Sequence, residues 1–349
     1  MTAEIRKIAE RLIENHQLTL EEYKALLENR DEELYELLKN EAIKLREKIY
    51  GNKIFIRGLI EISNYCKNDC FYCGIRKSNK SCERYRLSAE EILSCCESGY
   101  GSGFRTFVLQ GGEDAFFSDD VLYELITEIK KKYPDCAVTL SLGERSKESY
   151  KRLFDAGADR YLLRHETADK KHYRKLHPEK MSHENRMNCL YELKKIGYQV
   201  GCGMMVGSPF QTGKCLAEDL KFIEELSPDM CGIGPFIPHT ATPFKNETSG
   251  GVELTCFLLA VVRIIRPNIL LPATTALGTI ERNGRIKGVE ASANVVMPNL
   301  SPIAVRDKYS LYNNKRHSGT ESAEMLEELK LEMKSIGYEI VCDRGDIIK

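Results

Sequence analysis

The sequence predicts an α/β protein folded as a (β/α)8 barrel of the TIM type, with a helical extension before it and a helical segment after it. Three observations carry that prediction. Short β-like runs recur eight times from Lys53 onward, longer amphipathic segments separate them, and glycines stand at several joins (Gly157, Gly197, Gly288). A barrel of about 250 residues forms one unit, and 349 residues leave room at both ends. The chain is accordingly divided into a helical extension over 1–50, a barrel over 51–300 and a segment over 301–349 that closes the barrel.

Taken in order, residues 3–50 carry apolar positions at helical spacing, and Thr19 with Glu22 forms a capping box ahead of Tyr23, Leu26 and Leu27. Strands are expected near 54–62, 105–109, 137–142, 160–164, 199–205, 230–234, 269–273 and 293–297. Helices are expected over 88–98, 119–132, 146–156, 183–196, 214–226 and 254–265. The stretch 280–290 carries Asn283-Gly284 and reads as a weaker helix or partly a hairpin. A last helix over 322–336 is expected to close the bottom or side of the barrel. Active-site groups of such a fold gather at the carboxyl ends of its strands.

Composition excludes several classes. With 51 basic and 52 acidic residues, net charge -1, no global field gathers nucleic acid or an anionic membrane. Lys130-Lys131-Lys132 reads as the solvated end of a helix. The longest apolar runs, 256–265 and 269–273, fall well short of the eighteen or so residues that span a bilayer. Thirteen cysteines and no signal-like apolar segment after Met1 point to a reducing cytoplasm.

The chemistry is concentrated at strand ends. After the first strand comes Cys66-Lys67-Asn68-Asp69-Cys70-Phe71-Tyr72-Cys73, three thiolates in one short loop. Zinc prefers four ligands in a closed set, and no His or fourth Cys lies within six residues. A 4Fe-4S cube held by three cysteines, with one iron open, is the more natural reading, beside zinc or a redox dithiol. Strand two ends in Gly111-Gly112-Glu113, where backbone can approach a ligand and a carboxylate can accept from an ammonium; a plain turn is the bland alternative. Strand four ends in Arg164-His165-Glu166: Arg164 and Glu166 share a face and suit an anion and a cofactor, or a rim ion pair, while His165 reads as packed. Arg186, in the first turn of a helix, could grip a carboxylate bidentately or simply face solvent. Gly201 and Gly203 signal either close approach of a ligand or tight strand packing. Thr139, Arg164, Thr274 and Thr275 converge on a polar pocket across the barrel mouth if the barrel reading holds, although threonines there also serve as caps. The other ten cysteines form no second clustered set and read as small buried residues.

The spacing Cys-x3-Cys-x2-Cys, with Tyr72 before the last Cys, resembles the signature of the radical S-adenosylmethionine (SAM) superfamily, and Gly111-Gly112-Glu113 matches its segment for the methionyl amine. More specifically, residues 53–312 resemble the HydE family, radical SAM maturases of FeFe-hydrogenase. That likeness is carried by 68–76, 138–144, 157–168, 232–239 (Gly-Ile-Gly-Pro-Phe-Ile-Pro-His) and 272–276 (Pro-Ala-Thr-Thr-Ala). The resemblance implies one 4Fe-4S cluster on Cys66, Cys70 and Cys73, and SAM contacts from Tyr72, Gly111, Gly112, Glu113, Glu166, Arg186, Met230 and Ile237. It implies an anion site at Thr139, Arg164, Thr274 and Thr275, and catalytic roles for Arg164, Tyr309 and Tyr312. An anaerobic enzyme is implied that acts on a cysteine-bound iron carbonyl cyanide unit, meets other hydrogenase maturases transiently, and takes electrons from a ferredoxin or flavodoxin. Some relatives bind an accessory cluster just after the paired tyrosines; here 312–318 has no Cys, and a second cluster is not expected. The rival readings are a biotin synthase or methylornithine synthase type, for which Cys136, Cys189 and Cys231 could supply further ligands, and a non-catalytic iron-sulfur carrier.

Overall fold

The alternation of strand and helix begins at Lys53, as the sequence pattern requires, and a computed structural model describes residues 1–316 and 319–349. In chain order the strands are β1 (Lys53–Ile56), β2 (Gly58–Ser63), β3 (Thr106–Gly111), β4 (Ala137–Ser141), β5 (Arg160–Leu162), β6 (Gln199–Cys202), β7 (Met205–Val206), β8 (Met230–Cys231), β9 (Gly234–Pro235), β10 (Val295–Val296) and β11 (Glu339–Val341). Among the described residues every strand ladder is parallel: β2-β3-β4-β5-β6-β8 forms one sheet, β10-β1-β11 a second, and β7-β9 a third. Single bridges close the ring, from Met230 to Leu270, Pro272 to Val295 and Asn299 to Leu59. The seventh expected strand, 269–273, thus keeps its place without a ladder. Pro272 has no N–H to give, and the run is tied by Leu270 N to Asp229 O (3.0 Å) and Ala273 N to Val295 O (2.9 Å). Three other expected strands, 54–62, 199–205 and 230–234, are each broken into two.

Register sorts the side chains into two sets. Ile60, Leu109, Leu140, Tyr161 and Val200 lie side by side across five strands and are fully buried, each alternating with a residue on the opposite face. The alternating set, Leu59-Val108-Thr139 and Glu61-Gln110-Ser141, faces the barrel interior and lines a cavity there. Barrel interiors are ordinarily filled by branched apolar side chains; here Glu61, Gln110, Thr139 and Ser141 set polar groups into a largely apolar wall around an open cavity.

The outer helices start where hydroxyls can cap them. Ser88, Ser118, Ser146, Ser182 and Thr212 each accept the backbone N–H three residues on, opening helices Ala89–Gly101, Asp119–Lys132, Lys147–Asp155, His183–Ile196 and Gly213–Leu226. The Thr19–Glu22 capping box is present as expected. Helix Leu20–Glu28 packs on Gly213–Leu226, and helix Glu32–Tyr50 on Val252–Ile265, so the extension covers the outside of the barrel. The 280–290 stretch contains no hairpin: Thr275–Ile280 and Gly284–Glu290 are two short helices meeting so closely that a Cβ on Gly284 would lie 2.1 Å from Leu277 O. Gly288, expected at a turn, lies inside the second of them. A helix not anticipated, Lys170–Leu176, sits in the loop after β5, capped by Asp169.

After helix Leu326–Ser335, which packs on β11, a tail ties the last residues to the amino ends of β3 and β5. Beyond β11, Arg344 O accepts from Thr106 Oγ1 and Arg160 Nη2 (both 2.8 Å), and Asp346 Oδ1 takes Arg160 Nη2 at 2.6 Å. Among the described residues no helix is long and apolar enough to cross a membrane.

Candidate active site

The loop after β2 has neither helix nor strand to shape it, and two side chains do so instead. Arg84 donates to four backbone carbonyls along the loop, of Asn64, Ile75 (2.8 Å), Arg76 (2.7 Å) and Asn79 (3.3 Å). Asp69 accepts from Arg76 Nε (2.7 Å) and Ser78 N (3.0 Å), and these bonds hold its carboxyl well below the usual carboxylate range. Cys66, Cys70 and Cys73 are thereby turned to one cavity. Burial raises all three thiols; for Cys70 the neighbouring Cys73 and Cys66 add to it, and Cys73 is pushed up to about 12 by burial and by Cys66. Three thiolates here need a cationic partner, and a cube that takes one thiolate per iron suits them. Among the described residues no three His, Cys, Asp or Glu converge on a single ion, which a cube of that kind does not require.

The cavity measures about 370 Å³ and lies inside the carboxyl ends of the strands. The residues that the family resemblance implies for the site line it: the three cysteines, Tyr72, Gly111, Gly112, Glu113, Thr139, Arg164, Glu166, Arg186, Met230, Ile237, Thr274, Thr275, Tyr309 and Tyr312. Gly112 lies against the cysteine loop so tightly that a Cβ would sit 2.2 Å from Tyr65 O. Next to it, Glu113 accepts from Glu144 N (3.0 Å) and pairs with Lys67 (3.1 Å), while its own carbonyl accepts Lys67 N (2.9 Å).

β5 stops at Leu162, so Arg164 and Glu166 meet by a turn rather than along a strand. Glu166 has φ +66°, a left-handed conformation rare for a residue with a side chain. Its N–H donates to Gly203 O (3.0 Å), and Arg164 Nη2 lies 3.0 Å from its Oε2, though off the line of a hydrogen bond. His165 is packed, as expected. It points away to Asp219, fully buried on helix Gly213–Leu226, with Nε2 3.3 Å from Oδ1, and the same oxygen accepts Ala168 N at 2.6 Å.

Arg186 is no surface residue. Its Nε donates to Glu144 (2.6 Å) and Nη1 to Arg164 O (2.7 Å), leaving the Nη2 edge for an anion; burial opposes its charge, but Tyr173 and Glu144 more than restore it. Tyr72 O–H donates to His177 Nε2 (3.1 Å), whose Nδ1–H donates to Tyr173 O (3.0 Å). That tautomer is neutral, since burial and the nearby Arg186 lower His177 to about 3. On the far wall Thr139 Oγ1, Thr274 Oγ1 and Arg164 Nε are buried with no protein hydrogen-bond partner. Thr275 departs from the expected cradle: its hydroxyl donates to Glu321 (2.9 Å). Gly201 in β6 and Gly203 just after it resolve toward packing, because a Cβ on Gly201 would meet Leu162 Cδ1 at 2.6 Å and one on Gly203 would meet Gly232 O at 2.2 Å.

Three comparisons with known proteins bear on this geometry. Residues 60–223 match the profile of the Radical SAM superfamily. Over 310 residues the chain is 46% identical to the FeFe hydrogenase maturase subunit HydE of Thermotoga maritima, covering 89% of this chain and 88% of that protein. The chain belongs to the HydE family of radical SAM enzymes. It is also 31% identical to the 3-methylornithine synthase of Methanosarcina acetivorans, over 84% of this chain and 83% of that one. Its fold matches the crystal structure of methylornithine synthase (PylB) with TM-score 0.83 and 26% identity, over 96% of this chain and 97% of the other.

As a radical SAM enzyme of the HydE family, the protein uses a 4Fe-4S cluster and SAM, and the crowded thiols and unpartnered polar atoms fit both. Cys136, Cys189 and Cys231, the ligands a biotin synthase reading would call on, stand outside the cavity lining. Of the stretch 312–318, in which no second cluster is expected, His317 and Ser318 lie outside the described residues. Sequence reasoning missed Glu61, which is fully buried at the cavity wall, bonded by Asn299 Nδ2 (2.9 Å) and paired with Lys315. It also missed Arg57 on the floor, with Nη1 2.7 Å from Met230 Sδ. An isolated charge within an apolar strand run was the available signal for both.

Proposed function

We propose that the protein matures FeFe-hydrogenase by acting on a cysteine-bound iron carbonyl cyanide precursor of the diiron subcluster. The observation that carries this reading is the 46% identity over nearly the whole of both chains to a maturase subunit. When bound, the cluster and SAM supply a 5′-deoxyadenosyl radical. The residues do the rest. Cys66, Cys70 and Cys73 hold the cluster, with Tyr72 kept rigid behind them by His177. Gly111, Gly112 and Glu113 receive the methionyl amine, Glu166 accepts from a polar group of SAM, Arg186 donates to its carboxylate from the free Nη2 edge, and Met230 and Ile237 give apolar contact. Thr139, Arg164 and Thr274 hold an anionic group of the substrate, Thr275 contributing through its backbone, and Tyr309 and Tyr312 close the mouth against water. The reaction belongs to an anaerobic, reducing cytoplasm, with a ferredoxin or flavodoxin as electron donor and other hydrogenase maturases as transient partners.

Arg164→Ala separates the two tasks. Its charged contact contributes about 1.5 to 3 kcal/mol to substrate binding, so in vitro maturation of apo-hydrogenase should fall at least ten-fold while uncoupled 5′-deoxyadenosine formation persists. A wild-type protein that cleaves SAM but leaves apo-hydrogenase inactive would sink the reading.

A further inference from the structure

Beside the cysteine loop lies a surface patch for which the reading above has no use. Tyr65, directly before Cys66, is 37% exposed, and Phe116, three residues after Glu113, is 53% exposed. Arg86 lies against both, its guanidinium carbon 3.9 Å from the Tyr65 ring centre and 4.9 Å from that of Phe116. Asp114 holds it there through Nε (2.7 Å) and Nη2 (2.9 Å). Arg84 reaches the same tyrosine, 6.0 Å from its ring centre, and bonds only neutral carbonyls.

The charge of this stretch is unlike that of the chain. Residues 65–86 carry Lys67, Arg76, Lys77, Lys80, Arg84 and Arg86 against Asp69 and Glu83, four positive charges in excess, in a chain of net charge -1. Asp69 is engaged by Arg76 and Glu83 by Lys308, while Glu113 and Asp114 of the neighbouring loop take Lys67 and Arg86, so the positive charge this face presents is that of Lys77, Lys80 and Arg84. Lys77 and Lys80 are exposed.

We infer that this patch docks the protein that delivers the electron, an acidic carrier with its redox group near its surface. Exposed aromatics flanking an arginine are the composition of binding hot spots, and a positive field speeds encounter with an acidic partner. Electron transfer weakens steeply with distance, so the carrier must reach the cysteine loop, and Tyr65 joins the patch to Cys66 by one peptide bond. For each SAM cleaved, the carrier loses one electron, the sulfonium–C5′ bond takes it up and breaks, and the products are methionine and a 5′-deoxyadenosyl radical. The radical becomes 5′-deoxyadenosine by taking a hydrogen atom from substrate or, uncoupled, from a buffer or protein C–H. The inference rests on the proposed use of a protein donor.

The test compares 5′-deoxyadenosine formation by the full reconstituted protein under two reductants: reduced flavodoxin, and dithionite, a small ion with no docking requirement. The double variant Lys77→Glu/Lys80→Glu and the single variant Phe116→Ser should each lose about ten-fold or more with limiting flavodoxin and keep the wild-type rate with dithionite. Added salt should slow the wild type with flavodoxin and leave the double variant unaffected. Unchanged flavodoxin rates overturn the inference, and so does an equal loss with dithionite, which would make the patch a support for the cluster. Lost hydrogenase maturation with unchanged flavodoxin rates would assign the patch to another protein and overturn it as well. Wild-type protein inactive with both reductants removes the function proposed above, and the inference with it.

Discussion

Glu166 shows how a single side chain is set for function against its backbone preference. A left-handed residue other than glycine costs roughly 1–2 kcal/mol, and here the turn is pinned on both sides: Glu166 N–H bonds Gly203 O, while Ala168 N–H bonds Asp219. Asp219 is a positioning residue, touching neither cavity nor ligand. Asp219→Asn keeps the acceptor for Ala168 and should bind SAM nearly as wild type does, whereas Asp219→Leu should weaken SAM binding about ten-fold, a single lost charged hydrogen bond in magnitude, with iron content intact. Equilibrium SAM binding, beside Leu220→Ala as a core variant of comparable destabilisation, checks this; equal loss in Leu220→Ala would reduce Asp219 to general packing. Residue identity was legible in the sequence wherever a charge or hydroxyl closed an apolar run, as at Glu113, Arg164, Glu166 and Thr274. Asp219 gave no such sign, because beside Glu218 and Lys221 it reads as one more charge of an amphipathic helix and its partner lies 51 residues away.

The cysteine loop is an element without secondary structure, so its shape depends on side chains donating into its carbonyls. Arg84 supplies four of those bonds, and among the described residues no carboxylate pairs with it. Arg84→Ala leaves the carbonyls unpaired and should lower the iron held after anaerobic reconstitution and gel filtration to about half or less of the wild-type content, each charged hydrogen bond contributing about 1.5–3 kcal/mol. Iron per chain measured beside Arg84→Lys tests this, and full iron in Arg84→Ala would mean the loop is shaped without it. Helices were the elements best read from sequence, since Ser or Thr caps and 3.6-residue periodicity are local signals; helices Asp119–Lys132 and His183–Ile196 have the expected bounds. Helix Lys170–Leu176 was not, because seven residues carry too little periodicity to stand out from a loop.

At the level of the whole molecule, the barrel holds its cavity at the carboxyl ends of the strands and binds the chain's last residues at the amino ends. Arg160, fully buried in β5, finds its carboxylate in Asp346, near the end of the chain. Burial works against the Asp346 charge, but Arg160 dominates and the carboxyl is lowered to about 2. Because this is below the unfolded value of about 3.9, its stabilisation is fully present above about pH 5 and is lost as pH falls toward 2. Denaturant unfolding of wild type and Asp346→Asn should therefore show a constant stability gap from pH 7 to about 5 that closes by about pH 2. A gap that persists unchanged at pH 2 would mean that packing, not charge, ties down the tail.

The barrel, the strand–helix order and the cysteine, glycine and threonine motifs were set by local pattern: period-2 and period-3.6 hydrophobicity, capping hydroxyls and the spacing of three thiols are all written over a few neighbouring residues. Tertiary structure alone decided which hydroxyl is free and which is taken, Thr274 and Thr275 being adjacent in the chain and opposite in fate because Glu321 reaches only the second. It also decided that Arg186 is a buried, partly committed donor, that the Asp346 side chain pairs with a barrel arginine, and that aromatic and basic side chains from 65, 86 and 116 meet on one surface. Such pairings join residues far apart in the chain, and nothing in the local chemistry of either partner names the other until the fold closes.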